Sequence, residues 1–268
     1  MMQKTLSNLL AGLYLTLVYG FIFLPVATLV LFSFKGGRFP IPPFTDPTLK
    51  WYEAVFADPK LTKALTNSLI VGVASSALAC LLGFFAAYGL ARYHLPASGL
   101  QRFLLTVPLT VSYLIIGLGL LVIANGLGLS KSLWLVATGH VVINLPLCFA
   151  IIYASMGEHQ RHAERAARDL GANELQVLRL ITAPMLIPAI IVAFALALTL
   201  SWDEFIIAFL LSRFEVTLPV EIWSLLRSGL NPKTNAVGSV VFLVSITLVL
   251  ILELTVFRRL GLRRKPGP

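Results

Sequence analysis

Apolar residues along this chain do not alternate with polar ones at a period of two. They come instead in long runs free of Asp, Glu, Lys and Arg, near Ala11–Phe34, Ala64–Ala91, Phe103–Gly126, Ser132–Gly157, Leu180–Trp202 and Ala236–Leu252. About 20 helical residues cross a bilayer core, and lipid offers no partner to an unpaired backbone group, so each run predicts a membrane-spanning helix rather than a barrel strand. The fifth helix is expected to run on across Asp203 and Glu204 to Leu211, and the sixth to position 257. The first run is too long for the apolar part of a signal peptide and shows no cleavage site, so it is read as a retained helix. The expected architecture is an all-α integral membrane protein with six transmembrane helices in one domain, 1–268.

Between the runs, two outer segments are more than turns. Gly36–Lys63 carries Pro40, Pro42, Pro43 and Pro47, then an amphipathic stretch with Trp51, Tyr52, Val55 and Phe56. Trp51 and Tyr52 are open to two readings, an interfacial aromatic anchor or a contact for a soluble partner. Asp58-Pro59 reads as a helix start, with Asp as N-cap and Pro at the first helical position, and Asn231-Pro232 repeats the device. Ala79, Gly83, Ala87 and Ala91 place a small residue at every fourth position, which marks a face for close helix packing.

Composition agrees with the pattern. Hydrophobic residues make up 57% of the 268 positions and charged ones 12%, against about 25% charged in soluble domains. The formal net charge is +9, yet the bases lie between and beyond the apolar runs, which suits topology signals and not nucleic-acid binding. Lys and Arg are in modest excess on the side that holds Arg92, Arg102, the 161–179 group and the tail Arg258–Lys265. Both termini are therefore expected in the cytoplasm. Cys80 and Cys148 fall inside apolar runs and read as small buried hydrophobes, not as a disulfide or metal site.

The largest cytoplasmic piece, 158–181, predicts a short helix ending at Gly171, a turn, and a second helix capped by Asn173 with Gln176. Leu175, Leu178 and Ile181 are expected as its apolar stripe. Ala163, Ala166, Ala167 and Leu170 give the first helix a small-residue face, beside Glu164, Arg165, Arg168 and Asp169, which could fix a partner's register. Either a helix pair at the headgroup boundary or a docking element fits these residues. The segment resembles the hallmark loop of the membrane subunits of binding-protein-dependent ABC importers: Glu-Ala-Ala, three residues, Gly, nine residues, Ile-x-Leu-Pro. Aligned on Gly171, Ala166, Ala167, Gly171, Ile181 and Pro184 match, while Arg165 replaces the Glu, next to Glu164, and Ala183 replaces Leu.

The resemblance implies a type I ABC importer permease fold in a bacterial inner membrane, with 158–181 as the cytoplasmic coupling loop. It also implies four kinds of partner: a second permease subunit, most simply a different chain; two ATP-binding subunits; an extracytoplasmic solute-binding protein; and membrane lipid. No cofactor is expected on this chain, ATP and Mg belonging to the partner ATPase, and no catalysis. Ser201-Trp202-Asp203-Glu204, Leu218-Pro219 and Asn231-Pro232 are similar to the second permease of spermidine/putrescine importers, whose relatives also serve thiamine, ferric iron and phosphonates.

Asp203 and Glu204 stand at membrane depth near the outer end of the fifth helix, where a carboxylate is a functional candidate. Adjacent helical positions point about 100° apart, so one of the two is expected to face the pathway; Asp203 is favoured, with Trp202 as an aromatic wall for an ammonium. The alternative is that both mark the lipid–water boundary, or pair with Arg213 or Arg227. His140, inside the fourth helix, is expected to make an interhelical hydrogen bond, and Glu253 to pair with Arg258 or Arg259. Hydrolase and metalloprotease motifs are absent, and Ser130 stands where a Walker loop requires Gly. A secondary transporter, the rival class, would show inverted repeats and more intramembrane charge.

Overall fold

The computed structural model describes residues 2–37, 39–227, 229 and 231–261, with side chains described for 8–37, 39–227, 229, 231–251 and 254. Among these residues there is no strand, only an isolated bridge between Lys35 and Pro47. The helices are α1 (Met2–Ser33), α2 (Lys50–Phe56), α3 (Pro59–Arg92), α4 (Ser98–Thr106), α5 (Tyr113–Gly126), α6 (Leu133–Ala154), α7 (Glu158–Asp169), α8 (Glu174–Gln176), α9 (Ala183–Asp203), α10 (Ile206–Leu211), α11 (Leu218–Arg227) and α12 (Pro232–Gly261). Five helices are long and apolar enough to span a bilayer, and six spans result if the bent pair α4–α5 counts as one.

That pair corrects the continuous helix expected over Phe103–Gly126. Pro108 sits in a 3-10 turn, Val107–Thr110, Val111 is extended, and the two halves meet at 106°. Proline lacks the N–H that would continue the ladder, and Ser112 restarts it by accepting a hydrogen bond from the Leu114 amide. The helix expected through to Leu211 is also broken. Glu204 is extended, with ψ 117°, and α10 begins two residues later.

The chain divides into two compact units, Met1–Thr62 with Glu221–Ile246, and Lys63–Val220 with Thr247–Pro268. In the first, the two anticipated helix starts are real and joined. Asp58 accepts from the Lys60 amide and Asn231 from the Thr234 amide, both at 2.9 Å, while Lys233 Nζ donates to Asp58 at 2.7 Å. That ammonium, set against a smaller opposing effect of burial, holds the Asp58 carboxyl below its ordinary value. Trp51 and Tyr52 both bond within the chain. Trp51 Nε1 donates to the Lys35 carbonyl at 2.7 Å, and the Tyr52 hydroxyl lies 2.6 Å from Ser33 Oγ, so the pair folds the loop between α1 and α3 onto the end of α1.

The second unit holds the main apolar core. Ala79, Phe84 and Ala87 of α3 pack with Cys148, Phe149 and Ile152 of α6 and with Leu186, Ala193 and Ala197 of α9. The small-residue face of α3 is what brings it there: a Cβ on Gly83 would lie 2.8 Å from the Phe149 backbone nitrogen. A second cluster, Val136, Ile143, Ile207, Ala208 and Leu211, seats the short α10 against α6. Glycines make the notch, since a Cβ on Gly117 or Gly139 would meet Leu210 or Ile207 side chains at 2.8 and 2.5 Å.

Candidate functional site

At the break after α9, the two adjacent carboxylates have opposite fates. The Glu204 side chain is buried and accepts from the backbone amides of Ile206 and Ile207 at 2.9 Å and of Ala208 at 3.2 Å. It thus satisfies the opening donors of α10, groups that lipid would leave unpaired. Its Oε2 lies 3.5 Å from His140 Nε2, and His140 Nδ1 lies 2.6 Å from Ser201 Oγ. Ser201 in turn is 3.2 Å from Ser75 on α3. The interhelical bond expected of His140 is present. Pairing of Glu204 with Arg213 or Arg227 is not: its surroundings are His140 and amide donors, and Arg213 stacks on Phe214.

Asp203, one residue earlier, is exposed. The end of α9 falls between them, with Asp203 still helical and Glu204 extended. Trp202 is only 3% exposed, so its ring belongs to the interior and not to an open wall beside Asp203. The sequence contained the signal for this arrangement, a carboxylate two residues before a short apolar helix, but read as one long helix it was missed.

At the other end of α9, the 158–181 segment forms largely as expected. α7 ends beside Gly171, whose φ of +90° is the left-handed value that a turn into the next helix requires. Asn173 and Gln176 form the reciprocal cap: the Asn173 amide donates to Gln176 Oε1 at 2.8 Å and the Gln176 amide to Asn173 Oδ1 at 2.9 Å. The following residues, Val177–Thr182, widen into a π turn before α9. Pro184 has no amide to donate to Leu180, and the wider turn suits that gap. The apolar stripe holds in part: Leu178 and Ile181 are half-buried, and Leu178 packs against the main core, whereas Leu175 is 60% exposed and Val177, not anticipated, is buried.

Glu164 also departs from its expected place. It is fully buried, and its carboxylate accepts from Arg92 Nε at 2.6 Å and from the Thr182 hydroxyl at 2.9 Å. The side chain expected on the docking face therefore clamps α7 to the end of α3 and to the π turn before α9. Arg161 adds a bond to the Ala91 carbonyl at 3.3 Å, and Arg168 binds both Glu174 oxygens at 2.7 and 3.1 Å. Arg165, Ala166, Gly171 and Pro184 are exposed, and Ala167 and Ile181 half-buried. Arg92 and Thr182 were not anticipated; Glu164 stands at i+3 from Arg161 and i−4 from Arg168, and that spacing was the available signal.

The two faces of α7 differ in kind. Arg161, Glu164, Arg165 and Arg168, at i, i+3, i+4 and i+7, share one side, while Ala163, Ala166, Ala167 and Leu170 share the other. Ala167, Leu170, Gly171, Ala172, Gln176, Leu180 and Ile181 line a shallow groove, and Leu170 is 89% exposed. Glu253 and the Arg258–Lys265 tail, expected to pair or to mark the inner face, lie outside the described side chains. No group of three His, Cys, Asp or Glu able to hold a metal occurs among the described residues.

Residues 79–265 match the family model described as binding-protein-dependent transport system inner membrane component. The spermidine/putrescine transport system permease protein PotC of Escherichia coli (strain K12) is 28% identical over 93% of this chain and 94% of its own. The putrescine transport system permease protein PotI of the same organism is 32% identical over 85% of this chain and 83% of its own. Among solved structures, a bacterial ABC transporter that imports the acidic polysaccharide alginate superposes with a TM-score of 0.69, at 20% identity over 96% of this chain and 98% of the other. An amino acid ABC transporter gives a TM-score of 0.57, at 16% identity over 78% and 98%.

Proposed function

Because this chain belongs to the family of binding-protein-dependent transport system inner membrane components, and so is the permease subunit of an ABC importer, we propose that its cargo is a polyamine. The observation that carries this reading is the likeness to spermidine/putrescine and putrescine permeases along most of the chain. The exposed carboxylate of Asp203, at the outer end of α9, supports it: a cationic solute leaving its binding protein meets an anion there.

In this reading both termini lie in the cytoplasm, and the outer segments Gly36–Lys63 and Thr217–Asn235 receive the solute-binding protein. A second permease subunit, a different chain, completes the path. Two ATPase subunits, which hold the ATP and Mg, dock on the Ala163–Leu170 face of α7 and on the groove beside Gly171. ATP-driven closure draws the docked helices together, and the Glu164 clamp passes that displacement to α3 and α9. The path then switches between inward- and outward-facing forms as a rigid-body transition.

Uptake of labelled putrescine and spermidine is the test, in cells lacking this chain and in cells with it restored. Restoration by the wild-type chain, but not by Asp203→Asn, is expected. An Asp203→Asn chain that assembles and transports normally would remove the carboxylate from the mechanism. Uptake independent of the chain would remove polyamines as cargo.

A further inference from the structure

The ionic face of α7 borders a polar cleft lined by Arg92, Tyr93, His94, Arg161, Glu164, Arg165, Arg168 and Glu174. Its internal charge is not balanced. Glu164 is taken up by Arg92 and Glu174 by Arg168, while Arg161 pairs outward with Glu158 at 3.1 Å. Arg165 makes no ion pair among the described residues, and the Nη2 of Arg92, buried at the cleft wall, finds no acceptor there. The cleft thus has guanidinium donors to spare for an anion.

We propose that this cleft binds a phosphate group, presented by an anionic phospholipid of the cytoplasmic leaflet. Guanidinium suits phosphate because its planar fork gives two charge-assisted hydrogen bonds at once. Position selects the source. Arg92 is the last residue of a membrane-spanning helix, and the half-exposed Tyr93 beside it is the kind of residue that sits at headgroup level. The surface suited to a protein partner is the opposite side of α7, with its alanines and Leu170. A phosphate in the cleft would brace the Glu164 clamp from the membrane side and hold α7 at a fixed angle to α3. This inference rests on the inner-membrane permease reading, with α7 in the cytoplasm.

The test uses the assembled transporter, this chain with its permease partner and ATPases, in nanodiscs of phosphatidylcholine with or without phosphatidylglycerol. Native mass spectrometry reads which lipid the chain retains. Wild-type chain is expected to retain phosphatidylglycerol over phosphatidylcholine, and Arg165→Gln to lower that preference about fivefold, with Arg165→Lys, which keeps the charge but not the fork, restoring only part of it. Equal retention of both lipids by the wild type overturns the proposal. So does inorganic phosphate that binds as well and displaces the lipid, which would make the ligand a soluble anion. Loss of ATPase assembly in Arg165→Gln with unchanged lipid retention would assign the cleft to an acidic side chain of the ATPase. Lipid retention is read on the chain itself, so a wild-type chain that never assembles with an ATPase would sink the importer reading separately.

Discussion

Gly171 is the residue at which backbone geometry alone dictates identity. Nothing lies within 4 Å of a Cβ built on it, so the space is open and only its φ of +90° resists replacement. A left-handed conformation costs an L-residue about 1–2 kcal/mol, less for Asn and more for a β-branched side chain. Gly171→Val is therefore expected to reduce the coupling of ATP hydrolysis to uptake, while Gly171→Asn retains most of it. Measuring both rates in membrane vesicles checks this, and equal coupling in both variants would contradict it. Asp203 and Glu204 make the complementary point. Identical chemistry at neighbouring positions yields one exposed charge and one buried cap, because α9 ends at Asp203 and Glu204 is extended.

At the scale of elements, close approach explains more than hydrophobicity does. Lipid tails are as apolar as leucine, so packing between α3 and α6 must come from van der Waals contact at short range. Gly83 supplies it. A valine there would drive atoms into the Phe149 backbone and Cys148 Cβ, 2.8 and 3.0 Å from the first added carbon. Backbone cannot swing aside as a side chain can, so Gly83→Val is expected to cost about 1–3 kcal/mol. A lower thermal midpoint of the purified chain is the readout, with Leu82→Val on the exposed face of α3 as the control. The broken spans follow a related logic. Where a span is interrupted, at Ser112 and at Glu204, a side-chain oxygen takes over the amides that the break leaves open.

For the molecule as a whole, Glu164 is the junction between the α7–α8 segment and the apolar core. It ties α7 to α3 through Arg92 and to the base of α9 through Thr182, and both α3 and α9 contribute to the main core. A buried ion pair contributes little net stability, but removing one partner strands the other and typically costs 3–5 kcal/mol. Glu164→Ala is therefore expected to destabilise the chain strongly. The double variant Glu164→Ala with Arg92→Leu should be less damaged than the single one in thermal unfolding. Yet the double variant should still lose ATP-driven transport, since the link between α7 and α3 is gone. Full transport by the double variant would show that motion passes elsewhere.

The sequence by itself determined the class of this protein and most of the 158–181 segment. Uncharged apolar runs demand helices in lipid for want of any other backbone partner. Caps at Asp58, Asn173 and Asn231, and the glycine at 171, are local chemistry between residues a few positions apart. The small-residue stripe of α3 announced a tight contact without naming α6 as its partner. Tertiary structure decided whatever depends on residues distant in the chain. Arg92, Glu164 and Thr182 meet only because three elements converge, as do His140, Ser201 and Glu204. The breaks at Pro108 and Glu204 were likewise its decision, because a proline or a carboxylate inside an apolar run fits a continuous helix and a bent one equally well. The caps at the bends, Ser112 and Glu204, are local, but the side chains that seat α10 come from distant elements.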